Sequence, residues 1–306
     1  MNDYLVLGAG ILLAGVGGEF FLRGLLGLAS WSRVSPGIIG ATVAAFATSS
    51  PELSVAISSA SAGRPEISLG DALGSNVVNV AFILGLVLVI ARIACPRDSV
   101  RRDFPAALLV PLVVGVLAFD GTLSRLDGVL LLAMFGGWMA ALVRDGHQQR
   151  GNSEATTGRR PTLMVLAASS LGLVGLFSGG HFIVLGAKGI ALKFGTPEFV
   201  IGATVVAVGT SVPELATTIM AQIRGHHEIG LGTILGSNIF NGLFIVGLAA
   251  TICPITTAGV ELVITLVAGL ITTVITFPSR TSCIGRGRGL MLLGAYAAYI
   301  LILIHR

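Results

Sequence analysis

Residues 40–85 align without a gap on residues 202–247, with a constant offset of 162 and 24 of 46 positions identical. The matches are not confined to apolar residues. Thr48, Ser49, Pro51 and Glu52 correspond to Thr210, Ser211, Pro213 and Glu214, and Ser75, Asn76 and Asn79 correspond to Ser237, Asn238 and Asn241. Polar residues held in register over such a length mark an internal duplication, so the fold must pack two copies of one plan against each other.

The solvent for that fold is a bilayer. Of 306 residues, 54% are apolar and 11% charged, with a mean hydropathy of +0.91, whereas a soluble domain is about 25% charged. The 42 glycines lie within apolar runs and follow no collagen-like period, as expected of close helix packing in a membrane. A net charge of +4 with no dense basic patch excludes a nucleic-acid partner. Cys95, Cys253 and Cys283 are odd in number and lack metal-ligand spacing, which argues against a disulfide framework or a zinc site.

About 20 apolar residues cross the hydrocarbon. On that measure five spans are predicted near 4–29, 35–62, 69–92, 103–120 and 126–143, and five more near 162–190, 197–222, 231–252, 257–277 and 288–304. The apolar start is too long for a signal-peptide core and has no basic leader, so it reads as the first membrane helix. The predicted fold class is an all-α polytopic membrane protein. Its ten transmembrane helices form two five-helix repeats, 1–143 and 162–306, joined by a polar cytoplasmic linker at 144–161. An odd number of spans per copy makes equivalent helices cross in opposite senses, giving an inverted repeat. Thirteen Lys and Arg residues fall on one side and five on the other, which places both termini outside the cytoplasm.

Glu52 and Glu214 lie towards the middle of the second and seventh spans, where a bare carboxylate costs several kcal/mol and is ordinarily neutralised, paired or bound to a cation. The neighbouring prolines matter too. Pro51 has no amide proton for the carbonyl of Ala47, nor Pro213 for that of Gly209, so each helix exposes a carbonyl oxygen. Thr48 and Thr210 lie one turn before the glutamates and Ser49 and Ser211 three residues before them. In the next spans Ser75 and Asn79, like Ser237 and Asn241, are four apart on one helical face, while Asn76 and Asn238 face away and suit broken-helix backbone. Gly70, Gly74, Gly232 and Gly236 would let these helices approach the carboxylate helices closely.

Carboxylate, hydroxyl, amide and carbonyl oxygens form a hard-cation ligand set, and the absence of nitrogen and sulfur ligands argues against zinc, copper or iron. Two ionised glutamates carry the charge that one calcium ion cancels. The oxygens alone do not choose between calcium and sodium. A membrane-embedded hydrolase using the two carboxylates would be expected to carry a histidine-rich metal set or a Gly-x-Ser-x-Gly context, and neither is found. A channel would conduct without a counter-ion.

The segments ATSSPE and GTSVPE, followed by GSNVVN and GSNIFN, resemble the two alpha-repeats of the sodium/calcium exchanger family of the calcium/cation antiporters, in its prokaryotic form. The resemblance implies ion-binding roles for Thr48, Ser49, Glu52, Ser75 and Asn79 and for Thr210, Ser211, Glu214, Ser237 and Asn241, with carbonyls from Ala47 and Gly209. It implies calcium efflux driven by sodium in a prokaryotic inner membrane, with sliding of the first and sixth spans. The expected partners are calcium and sodium ions and the lipid bilayer, with no covalent chemistry, no organic cofactor and no obligate protein partner. Relatives that carry aspartate at Asn79 or Asn241 leave proton- or potassium-coupled exchange as the alternative.

Other polar residues complete the reading. Asp71, matched by Thr233, stands one turn before Ser75 and either extends the cation path or faces solvent. Glu19 and Arg23 suit an internal salt bridge, and His181, the equivalent of Glu19, an interior hydrogen bond. Glu66 and Glu228 stand at helix mouths, and Glu261 at the start of the ninth span.

Overall fold

The computed structural model describes residues 2–152, 162–193, 207–257, 259–278 and 283–305. Seven helices among these residues are long and apolar enough to cross a membrane, and the pair Pro36–Thr48 and Ser50–Ser61, bent by 47°, makes an eighth. Val260–Thr276 is apolar but shorter. The span expected at 197–222 is described only from Ala207 onward. The molecule is an all-α polytopic membrane protein, turned inside out relative to a soluble one: Leu12, Val116 and Leu163 are among its most exposed side chains.

Helix α1 (Asp3–Ser32) starts on the side chain of Asn2, which accepts the Tyr4 amide at 3.1 Å, and stops where Arg33 turns left-handed at φ 56°. Its principal partner is α9 (Thr162–Lys193), and the reason lies in glycine spacing. Gly10, Gly17 and Gly24 recur every seven residues on α1, and Gly172, Gly179 and Gly186 are their equivalents at the offset of 162. A Cβ at Gly17 would lie 2.6 Å from the Leu176 nitrogen, one at Gly172 2.4 Å from that of Phe21, and one at Gly186 2.6 Å from that of Leu7. Ascending positions on one helix meet descending positions on the other, so these equivalent helices run antiparallel with backbone against backbone. Lys193 and Asp3, 2.6 Å apart, join their ends, and the carboxylate holds the exposed ammonium above its usual range.

Between them the chain runs α2 (Pro36–Ile39), a π-helical turn Gly40–Ala44, α3 (Ala45–Thr48), α4 (Ser50–Ser61), α5 (Pro65–Val77), a π-helical turn Val78–Leu84 and α6 (Gly85–Ile90). Helices α7 (Arg97–Leu117) and α8 (Arg125–Asn152) complete the first half. The predicted linker therefore opens as helix, because α8 continues through Asn152; residues 153–161 lie outside the described residues. The second half continues with α10 (Ala207–Thr210), α11 (Val212–Ile223), α12 (His227–Ile239), a π-helical turn Phe240–Ile245, α13 (Val246–Ile252), α14 (Val260–Thr276) and α15 (Arg286–Ile304).

Two short antiparallel ladders cross between the halves. β1 (Ile93–Ala94) pairs with β4 (Cys283–Ile284), and β2 (Thr122–Leu123) pairs with β3 (Ile255–Thr256). Ile93 and Ile255 are themselves related by the 162-residue offset, so each ladder is the counterpart of the other. The spans Pro65–Ile90 and His227–Ile252 are the most enclosed, with 72% and 94% of their apolar windows buried against 17–33% elsewhere, and stand at the centre. At one end the buried Asp103 accepts Arg102 Nε at 2.8 Å and Trp138 Nε1 at 3.2 Å, tying α7 to α8. No disulfide joins the three cysteines, and burial pushes the Cys95 thiol up to about 12, which leaves it protonated and inert.

Candidate ion-binding site

Both central helix breaks have the same backbone. Helix α3 ends at Thr48, Ser49 takes φ −87° and ψ 13°, and α4 begins at Ser50. Helix α10 ends at Thr210, Ser211 takes φ −88° and ψ 10°, and α11 begins at Val212. Pro51 and Pro213 fit the first turns of the new helices, where their missing amide protons cost nothing. Glu52 and Glu214 share those first turns, so each carboxylate sits at the positive end of a helix that starts halfway through a span.

The two clusters meet. Ser49 of the first repeat donates to Glu214 Oε1 at 3.0 Å, and Ser237 donates to the same oxygen at 3.4 Å. Thr48 lies against Glu214, and Ser75 lies against Glu52. Thr48, Ser49, Glu52, Ser75, Asn79, Ser211, Glu214, Ser237 and Asn241 are all buried, as is Gly209; Ala47 and Thr210 are partly exposed. One expectation is modified: the Ala47 carbonyl accepts the Ser50 hydroxyl, so Pro51 does not leave it bare. The second repeat has Val212 at that position and no such hydroxyl.

Several oxygens within this enclosed space have no hydrogen-bond partner among the described residues: Glu52 Oε2, Glu214 Oε2, Asn79 Oδ1, Asn241 Oδ1 and Ser211 Oγ. Buried polar atoms are almost always hydrogen-bonded, and leaving one unsatisfied costs about 1–3 kcal/mol. Five acceptor-capable oxygens drawn from both repeats make a donor set suited to a hard cation. Among the described residues no three His, Cys, Asp or Glu side chains come together, so hydroxyl and amide oxygens must supply most of any coordination.

Asn76 and Asn238 take the backbone role. Asn76 Nδ2 donates to the Asn238 carbonyl at 3.0 Å, Asn238 Nδ2 donates to the Asn76 carbonyl at 3.1 Å, and Asn79 Nδ2 reaches Asn238 Oδ1 at 3.2 Å. The reciprocal bonds lie two residues before each π-helical turn begins and fasten the repeats together. We expect Asn76→Ala to leave the Asn238 carbonyl without that donor and to cost about 1–3 kcal/mol. A lower apparent Tm in detergent would register this, and an unchanged Tm would remove the reciprocal pair from the account.

Close approach also sets the geometry. A Cβ on Gly236 would lie 2.4 Å from the Ala41 carbonyl oxygen, and one on Gly232 would lie 2.4 Å from that of Gly37. Backbone cannot yield as a side chain can, so α12 carries Ser237 to Glu214 only because these positions lack a side chain. For Gly70 and Gly74 no described atom lies within 4 Å; the equivalents of Gly37 and Ala41 there, residues 199 and 203, lie outside the described residues.

Glu19 has a partner that spacing alone did not reveal. Besides Arg23, its carboxylate accepts Arg224 Nε at 2.8 Å, joining α1 to the end of α11. His181 is exposed on α9 beside Phe182, which corrects the interior position expected for it. Glu66, Glu228 and Glu261 each occupy the first turn of a helix.

A profile of the family described as "Sodium/calcium exchanger protein" matches the chain at residues 3–144 and 164–305. The chain is 34% identical over 230 residues to the inner membrane protein YrbG of Escherichia coli, covering 72% of this chain and 71% of that protein. It is 26% identical over 345 residues to the sodium/calcium exchanger MaX1 of Methanosarcina acetivorans, covering 99% of each. A solved structure of the sodium-calcium exchanger NCX_Mj soaked with Na+ and Sr2+ superimposes with a TM-score of 0.84 at 30% identity, covering 98% of both chains. With the family profile spanning both halves of the chain and an exchanger fold matched over nearly its full length, this protein belongs to the sodium/calcium exchanger family.

Proposed function

We propose that the protein exchanges calcium for sodium across the membrane by alternating access at the central site between Glu52 and Glu214. The observation that carries this reading is the bond from Ser49 of one repeat to Glu214 of the other, inside a cluster of buried oxygens that lack partners among the described residues. Two carboxylates compensate one calcium ion. Sodium ions drawing on the same oxygens would exclude calcium, and that competition couples the two flows without a further device.

Ten spans in two inverted five-helix halves, 1–143 and 162–306, are the reading that best fits antiparallel α1 and α9 and the paired ladders. Glu52, Glu214, Thr48, Thr210, Ser49, Ser211, Ser75, Ser237, Asn79 and Asn241, with the carbonyls of Ala47 and Gly209, form the proposed ion site. The glycine-locked pair α1 and α9 would slide as one body over the breaks to open either side in turn. The positive-charge bias puts both termini outside the cytoplasm, and likeness to an inner membrane protein supports a prokaryotic inner membrane.

The test is calcium-45 movement in proteoliposomes at controlled voltage. A sodium gradient should drive calcium flux in either direction. Flux under a proton or potassium gradient without sodium would reassign the driving ion, and flux needing no counter-ion would make the protein a channel.

A further inference from the structure

The two repeats agree at the central site and differ one turn away from it, on opposite routes out. Along α5 the residues Ser68, Asp71, Ser75 and Asn79 recur at three- and four-residue spacing, which keeps them on one helix face leading from the site towards the loop at 62–64. Their equivalents on α12 are Gly230, Thr233, Ser237 and Asn241. The route towards residues 62–64 therefore carries a carboxylate where the other carries a threonine. Along α11 the substitution runs the other way. Thr217, Thr218 and Gln222 stand where the first repeat has Val55, Ala56 and Ala60.

Some polar atoms on both routes are buried and have no hydrogen-bond partner among the described residues. Ser68 Oγ, in a residue 1% exposed, has no hydrogen-bond partner, and neither has Glu52 Oε2 one layer deeper. Thr217 Oγ1, Thr218 Oγ1 and Gln222 Nε2 are likewise unpartnered on the opposite route. Among the described residues Asp71 makes no salt bridge; it is partly exposed, and its charge acts on Glu52. Thr233 is fully buried and spends its hydroxyl on the Ile229 carbonyl at 2.8 Å.

The two routes also differ in closure. Gly18 packs on Ala216 and Met220, and Glu19 pairs with Arg224 at 2.8 Å, so α1 lies across the end of α11. The equivalents of Glu19 and Arg224 are His181 and Ala62, which cannot form such a pair, and α9 makes no comparable packing on α4 among the described residues. Among the described residues, α1 and the Glu19–Arg224 pair thus close the neutral route, and the route of Asp71 has no equivalent of that pair.

We propose that Asp71, with the Ser68 hydroxyl and the free oxygen of Glu52, forms an outer holding position for a divalent cation on one route only, so that the two faces of the transporter differ in their affinity for calcium. This rests on the antiport reading above. A cation leaving bulk water on that route meets a carboxylate one turn before the central pair. On the other route the position equivalent to Asp71 is the neutral Thr233, with Thr217, Thr218 and Gln222 on α11, and hydroxyl and amide groups cannot offset lost hydration as a charge does.

The test uses full-length protein in right-side-out and inside-out membrane vesicles, with calcium-45 uptake as the readout. Asp71→Asn should raise the KM for calcium about tenfold, the equivalent of about 1.4 kcal/mol, at one face, and leave KM at the other face and the maximal rate near wild type. Asp71→Glu, which keeps the charge, should retain the asymmetry. The exchange Asp71→Thr with Thr233→Asp should move the low KM to the opposite face. Unchanged KM at both faces, or an equal rise at both, overturns the proposal, the latter because Asp71 would then belong to the central site. Wild-type vesicles silent under every gradient would overturn the antiport reading and this inference together, whereas robust wild-type exchange with a symmetric Asp71→Asn defeats this inference alone.

Discussion

Glu52→Gln and Glu214→Gln should each lower sodium-driven calcium flux about 100-fold while the protein still runs as a single folded species in detergent. Each glutamate is buried and starts a helix in mid-span, and among the described residues no salt bridge reaches either one. On the proposed reading the carboxylates are held for a positively charged guest. Removing one partner from a buried charge pair costs about 3–5 kcal/mol, and the lower figure already exceeds a factor of 100. Glutamine keeps shape and most hydrogen bonding, so Ser49 and Ser237 retain an acceptor at position 214 and the fold has no reason to fail. The two substitutions should also be equivalent, since the site straddles the repeat axis. Near-normal calcium-45 flux in both variants would end the central-site reading; loss in only one would end its symmetry.

Gly17→Ala and Gly172→Ala should disrupt the protein far more than Gly15→Ala, although all three add a single methyl group. At Gly17 and Gly172 the new carbon lies 2.6 and 2.4 Å from backbone nitrogens of the facing helix, whereas at Gly15 no described atom lies within 4 Å. Overpacking of this kind costs about 1–3 kcal/mol, and alanine for glycine in an open helix position gains roughly 0.5–1 kcal/mol. The apparent Tm in detergent should therefore fall for the first two and hold or rise for the third. Forcing α1 from α9 would also uncouple the pair proposed to slide together, so exchange should fall with stability. Equal behaviour of Gly15 and Gly17 variants would show that the helices do not touch as described.

Much of the site was legible because its information is local or repeated. Pro51 and Glu52 against Pro213 and Glu214 announce both a break and a buried charge, and the shared offset says that two copies face each other. What escaped depends on contacts between residues distant in sequence. The π-helical turns at Val78–Leu84 and Phe240–Ile245 have no local marker; they begin beside asparagines whose amides bond the other repeat's backbone. Spacing of four therefore describes Ser75 and Asn79 only approximately, because the pitch changes between them. Arg224 is 205 residues from Glu19 and invisible as its partner until the chain is folded. The Ser50 bond to Ala47 was open to inspection, yet a proline argument that considers only the lost amide overlooks the nearby hydroxyl. The heptad glycines of α1 and α9 were readable in principle by carrying the offset of 162 back beyond residue 40, where the match thins to scattered positions with the glycines prominent among them.

The ladders that pair β1 with β4 and β2 with β3 bear on biogenesis. Ile93 leaves the ribosome long before Ile284 exists, and the amide of Asn76 must wait for a carbonyl 162 residues downstream. The amino-terminal half can thus insert helix by helix during synthesis yet hold its loops and central asparagine unmatched until the other half arrives. Separately expressed halves should be poor substitutes for a half-protein and good complements of each other. The same interlock gives a fused duplication an advantage over a dimer of identical halves: once joined, each copy could change its own ends, as Asp71 and Arg224 have done, without altering both sides at once.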